Sequence, residues 1–283
     1  MEGHQIKIAS DQVILSGRFF PPEGEALAHL VLHGATGVPQ RYYRRFAIWA
    51  AARGIGVLTY DYRDFGASRN GSLRRSSTTM ATWCIEDQAA AEATLLTLAP
   101  EGPLWLLGHS IGGLGFPFRQ HDPRFERVIT LAAGFARVGD HPWSYRPVVL
   151  SFWYALGPIA TVLAGYLPGR IVLLGADLPA GVYWQWRRWA TSRSFYLTDV
   201  GKSLPEPHFS TPRSDLHIIG LEDDVIAPPV SVRRYADAFS AGRVRQTILR
   251  PAEFGLESLG HIGIMAERSA SAWPAILGLP ATM

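Results

Sequence analysis

Apolar and polar positions change rhythm several times along the 283 residues, and each change predicts an element. Alternation with period two runs through residues 5–8 and 13–19, the pattern of a half-exposed β-hairpin. Residues 27–32 form a short apolar run, read as a buried strand that stops at His33-Gly34-Ala35-Thr36-Gly37. From 42 to 53 the apolar side chains return at helical spacing, with Phe46, Trp49 and Ala50 on one face, and Gly54 ends the pattern. A strand at 55–60 leads into a loop at 61–68 and a Ser/Thr-rich connection. A helix is predicted over 81–98, stopped by Pro100 and Gly102, followed by strands at 104–107 and 128–132.

Regularity then lapses. Residues 135–212 hold eight prolines and many aromatic side chains, among them Trp143, Trp153, Trp184, Trp186 and Trp189. Alternation resumes with a strand at 216–219, a helix at 230–239, a strand at 244–249 and a last helix after Ala266. Strands alternating with helices predict an α/β fold, a mostly parallel central sheet with helices on both faces. The irregular middle reads as an inserted helical cap, which divides the chain into a core of 1–134 and 213–283 and a cap of 135–212.

Composition narrows the function classes. Hydrophobic residues make up 47%, enough for a full core and too many for a disordered chain. The net charge is +3, and the arginines are scattered in pairs at most, so a nucleic-acid partner is not expected. Cys84 is the single cysteine, which excludes an internal disulfide and a thiolate metal cluster, and no cofactor is expected. The first residues lack an apolar stretch after a basic start, so a cytoplasmic protein is the expectation. One segment pulls the other way. Residues 147–169 carry no charge, lie between Arg146 and Arg170, and are long enough to cross a bilayer. Gly157-Pro158, Gly165 and Pro168 weaken the spanning reading without removing it, because membrane helices tolerate both residue types. Two short buried or cap helices are the preferred reading, and membrane contact through 147–169 the less favoured one.

The chemistry centres on Gly108-His109-Ser110-Ile111-Gly112-Gly113, placed directly after the apolar run at 104–107. A serine between glycines, with a strand before and a helix after, suits a sharp turn that exposes the hydroxyl. Glycines two before and two after it avoid collision where the backbone doubles back. A serine hydroxyl needs a base beside it to act as a nucleophile near neutral pH. In a strand–turn–helix architecture of this kind the partners follow in the order serine, acid, histidine. Of the nine histidines only His261, in Leu259-Gly260-His261-Ile262-Gly263, lies beyond the strand that should carry the acid. His109 adjoins the serine on the wrong side of the turn to serve as its base. The acid is expected in Gly220-Leu221-Glu222-Asp223-Asp224, where the residues alone leave Asp223 and Asp224 open. Two backbone N–H donors are expected for a developing oxyanion: Ile111 after the serine, and Ala35 in the loop after residues 27–32.

Taken together, HGATG, DYRDFGAS, GHSIGG, LEDDVIAP and LGHIG resemble the α/β-hydrolase superfamily in order and spacing over nearly the whole chain. More narrowly, HGATGVPQRYYRRFA with GADLPAGVYWQWRRW is similar to bacterial serine-aminopeptidase-like α/β hydrolases. The resemblance implies an Asp-x-x-x-Pro acid motif, which selects Asp224 ahead of Pro228. It also marks a departure, since Asp64 stands where the family pattern has a glycine, and a strained or shifted loop is expected there. The implied activity is that of a serine hydrolase with Ser110, Asp224 and His261, acting through an acyl-enzyme on a small-molecule ester, thioester or amide. The apolar cap favours an apolar acyl or aromatic substrate and a carboxylesterase-like activity. Aminopeptidase, acyltransferase and a non-catalytic binding protein on the same fold are the alternatives.

Overall fold

The computed structural model describes residues 3–210, 214–240 and 243–280. Its ten strands are β1 (His4–Ser10), β2 (Val13–Phe20), β3 (Ala28–His33), β4 (Ile55–Tyr60), β5 (Leu104–His109), β6 (Phe125–Leu131), β7 (Tyr166–Leu167), β8 (Leu178–Pro179), β9 (Asp215–Leu221) and β10 (Val244–Leu249). Eight of them form one sheet in the order β1-β2-β4-β3-β5-β6-β9-β10. The β1–β2 hairpin and the β2–β4 pair are antiparallel; every later pair is parallel. All residues of β4 and β5 are buried, which explains why these strands read as continuous apolar runs rather than as alternation.

Helices cover both faces. On one side the helix Arg44–Ala51 packs Phe46 edge-on against Trp273, with ring centroids 5.5 Å apart, and joins the C-terminal turns of the chain in one apolar cluster. The other side buries Trp83, Leu95, Leu106, Val128 and Tyr235. Predicted boundaries moved by a few residues for local reasons. The helix expected from 42 starts as a 3-10 turn, Gln40–Tyr43, because Pro39 fixes an extended entry. The helix expected from 81 begins at Met80, where Thr79 and Thr82 form a reciprocal cap. It then passes through a π turn, Trp83–Asp87, which presents Trp83 to stack on Tyr62 at 4.7 Å.

Between β6 and β9 the described residues contribute no strand to the main sheet, and the segment expected to form the cap is helical or irregular apart from the short β7–β8 ribbon. The expected boundary at 212 and 213 lies outside the described residues. The uncharged segment folds as two α-helical pieces, Arg146–Leu150 and Leu156–Ala164, joined by a π turn at Ser151–Ala155. Two cap helices were expected there. They are not buried, however: only the inner face, with Val149, Trp153, Ala160 and Thr161, is covered by protein. That face packs on the helix Ala180–Thr191, where Trp153 meets Trp186 at 5.0 Å and Tyr183 Oη donates to the Phe152 carbonyl.

Candidate active site

The sheet delivers its polar side chains to the C-terminal ends of the parallel strands. β5 ends at His109, and Ser110 then takes φ 56°, ψ −119° before the turn of helix Ile111–Leu114. A non-glycine residue in this region of backbone space stores strain of order 1–3 kcal/mol. The surrounding glycines make the turn sterically feasible. A Cβ on Gly108 would enter the Gly112–Gly113 backbone, and a Cβ on Gly112 would enter the His33 carbonyl. The Ser110 N–H donates to the Leu131 carbonyl at 2.8 Å, which pins the turn to the end of β6.

Ser110, Asp224 and His261 come together. The Ser110 hydroxyl donates to His261 Nε2 at 3.0 Å, and His261 Nδ1–H donates to Asp224 Oδ2 at 2.7 Å. The second Asp224 oxygen accepts the N–H groups of Ile226 and Ala227, each at 2.8 Å. Burial pushes the Asp224 carboxyl up, but His261 and these two amides outweigh it and hold the group below the usual carboxylate range. Asp224 is therefore ionised and fixed in one orientation, with the imidazole held in one tautomer. Asp223 points elsewhere, as expected for its neighbour, and accepts the amides of Leu259 (2.9 Å) and Gly260 (3.1 Å). Adjacent carboxylates thus hold His261 in two ways, one at its ring and one through the loop before it.

Of the two amides expected as oxyanion donors, Ile111 opens its helix, where an N–H has no intrahelical acceptor. Ala35 requires a correction. Its N–H donates to Tyr43 Oη at 2.8 Å and is therefore engaged inside the protein. Tyr43 Oη in turn bonds His109 Nδ1 at 2.9 Å, and His109 Nε2 bonds the His261 main-chain carbonyl at 2.8 Å. A carbonyl only accepts, so Nε2 carries the proton, Nδ1 accepts, and the Tyr43 hydroxyl donates to it. Burial, with His261 nearby, pushes His109 down to about 3, so the ring stays neutral. The result is a relay from the Ala35 amide through Tyr43 and His109 to the backbone of His261.

Sequence reasoning missed Tyr43 and His109 as members of the site. Their contact spans 66 residues and needed the sheet order to bring them together. Beneath the site, Glu92 is buried against His33 Nε2 at 3.2 Å, His121 Nδ1 at 2.8 Å and Arg119. Burial alone would push its carboxyl up, yet Arg119 and the two histidines hold it well below the usual range. This cluster anchors the end of β3, from which the Gly34–Gly37 turn departs.

Cap residues reach the site at two points. Leu174 lies against Gly37, where an added Cβ would meet its side chain, and His141 Nδ1 hydrogen-bonds the Val225 carbonyl in the loop of Asp224 at 2.7 Å.

Comparison with known proteins agrees with this architecture. A serine hydrolase without a lid from Xanthomonas campestris superposes with a TM-score of 0.58 at 13% identity, covering 100% of this chain and 98% of that one. A soluble variant of monoglyceride lipase from Saccharomyces cerevisiae gives 0.61 at 14% identity, covering 88% and 87%. An enol-lactonase from Burkholderia xenovorans gives 0.58 at 17% identity, covering 96% and 98%. No curated protein sequence matches the chain. The family model described as the alpha/beta hydrolase family matches residues 30–272, most of the chain, and the protein belongs to that family.

Proposed function

We propose that this hydrolase cleaves an ester through an acyl-enzyme, with Ser110 as nucleophile, His261 as general base and acid, and Asp224 as the carboxylate that orients His261. The observation that carries the reading is the continuous hydrogen-bonded chain from Ser110 Oγ through His261 to Asp224, on a serine held at φ 56°. As Ser110 Oγ attacks the carbonyl carbon, its proton passes to His261 Nε2, and Asp224 stabilises the imidazolium. The Ile111 amide donates to the oxyanion, a contribution of several kcal/mol in sites of this kind. His261 returns the proton to the leaving alcohol. It then takes a proton from water, which attacks the acyl-enzyme, and returns that proton to Ser110 Oγ as the acyl–oxygen bond breaks and the acid leaves.

Two features favour an apolar acyl or aromatic ester over a peptide. The cap places Leu174 against Gly37, beside the turn after β3, and is itself rich in apolar and aromatic side chains. Holding a free amine needs available carboxylates, and two cap acids are already engaged. Asp140 pairs with Arg234 at 2.7 Å, and Asp199 accepts from Arg188, Gln185 and Trp189. A fluorophosphonate probe tests the reading: it should label the wild-type protein and fail to label Ser110→Ala. Labelling that persists in that variant overturns it. A panel of p-nitrophenyl esters of increasing chain length, alongside aminoacyl amides, then separates esterase from peptidase.

A further inference from the structure

The helical run Arg146–Ala164 is apolar enough to cross a membrane, yet it lies on the protein with only 28% of its most apolar window buried. A helix that is apolar all round is normally enclosed by protein or lipid. Here the inner face is enclosed and the outer face is not. Val148, Ile159, Val162 and Leu163 are 50%, 59%, 70% and 77% exposed, and Ile171 and Leu173 on the next loop are 57% and 93% exposed. Of the fourteen exposed large apolar side chains among the described residues, ten fall between Trp143 and Leu173. That concentration is a surface patch rather than a scatter of single residues.

Charge identifies what covers it. Residues 135–212 carry seven arginines and lysines against four acids, so the +3 of the whole chain resides in this segment. From 141 to 176 there is no carboxylate, and Arg146 and Arg170 bracket the apolar stretch. Asp140 and Asp199, at the flanks, are neutralised by Arg234 and Arg188. The Arg146 guanidinium stacks on Trp143, which is 80% exposed, with its carbon 4.1 Å from the ring centroid. Tryptophan beside arginine at the edge of an apolar face matches the polar–apolar boundary of a bilayer. A second copy docking face to face would bring like charges together, which opposes self-association through this patch. The Trp153–Trp186 and Tyr183–Phe152 contacts tie the inner face to the cap, a geometry that suits a helix lying in the plane of an interface rather than one crossing it.

We propose that the cap docks on the surface of an anionic lipid bilayer through the outer face of Arg146–Ala164 and the 171–173 loop. The docked loop adjoins Leu174, which rests on Gly37 beside the candidate active site, so docking places the mouth of that site at the lipid surface.

The test uses full-length Ser110→Ala protein, so that vesicle binding is measured independently of catalysis. Cosedimentation with phosphatidylglycerol–phosphatidylcholine vesicles is expected, weaker with phosphatidylcholine alone and weaker as salt is raised. Adding Val162→Asp and Leu163→Asp should weaken binding by about a hundredfold, given what burying two such side chains contributes. Unchanged thermal melting would show that the fold is intact; a lowered melting point calls for the single variant Leu173→Ser on the loop, expected to weaken binding about tenfold. The proposal is overturned if no vesicles retain the protein, or if the variants bind as well as the parent. A parent dimer that the variants dissociate would overturn it too, by assigning the patch to a second copy.

Discussion

His109 Nε2 donates to the main-chain carbonyl of His261 at 2.8 Å, so the residue preceding Ser110 in sequence grips the backbone of the residue that Ser110 bonds. Its other nitrogen accepts from Tyr43, which also holds the Ala35 amide. His109 is neutral and fully buried, so its part is to set distance, not to move a proton. His109→Ala should lower kcat for a p-nitrophenyl ester by about ten- to a hundredfold with little change in KM, because small misplacements at reacting atoms are costly. His109→Gln, which keeps a donor, should recover part of the loss. Equal kcat in wild type and His109→Ala would remove His109 from any positioning role.

Asp223 and Asp224 are adjacent and make separable predictions. Asp224 sets the tautomer of His261 directly, so Asp224→Asn should lower kcat by about 10⁴-fold, the cost of presenting the wrong ring nitrogen. Asp223 only accepts two loop amides, so Asp223→Asn, which keeps one acceptor oxygen, should lose about tenfold or less. Steady-state kinetics of both variants decide the assignment, and a larger loss at Asp223 would reverse it.

Why these features differ in legibility is a matter of range. The serine turn is largely a local device: Gly108 is required by the Gly112–Gly113 backbone within the next five residues, and the sequence displays the glycine spacing, whereas the His33 carbonyl that requires Gly112 is brought there by the sheet. His261 was legible by its order along the chain, and β10 matched its expected limits because apolar runs that end in turns are local as well. The Tyr43–His109–His261 relay has no such local cause, since each contact joins residues brought together by β3, β5 and the loop after β10. Ala35 illustrates the cost of that limit. Its position in the HGATG loop suggested a free donor, and only a hydroxyl eight residues on shows where its N–H goes. The π turns at Trp83–Asp87 and Ser151–Ala155 were likewise invisible to a 3.6-residue period.

Acid stability follows from buried histidines. Burial pushes His33 down to about 4, only partly opposed by Glu92, and His109 down to about 3, from an ordinary value of 6.5. Below 6.5 the unfolded chain binds protons that the folded chain refuses, so stability is full above that pH and falls as pH drops toward 4. Two such groups give a slope approaching about 2.7 kcal/mol per pH unit. Urea denaturation at a series of pH values across this window measures it. A flat profile would mean that these rings accept protons in the native state.

Asp64 departs from the glycine of the family pattern, and the structure gives its reason. It holds φ 56°, a left-handed conformation that glycine adopts freely and aspartate tolerates better than most residues. Its carboxylate then does what glycine cannot. Oδ2 accepts the hydroxyls of Ser76 at 2.6 Å and Thr78 at 2.7 Å, fixing the connection that leads into the Thr79 cap of the following helix. The cap helix Ala180–Thr191 rests on that connection: Gly181 lies against the Thr78 carbonyl, and Gln185 accepts the Ala81 amide at 2.8 Å. Asp64→Gly should keep the backbone and lose the two bonds, lowering stability by about 1–3 kcal/mol. Asp64→Ala should lose the same bonds and add the strain of a left-handed alanine, about 1 kcal/mol more. Chemical denaturation should therefore rank wild type above Gly and Gly above Ala. An alanine variant as stable as the glycine one would show that the loop relaxes out of the left-handed conformation once the carboxylate is gone.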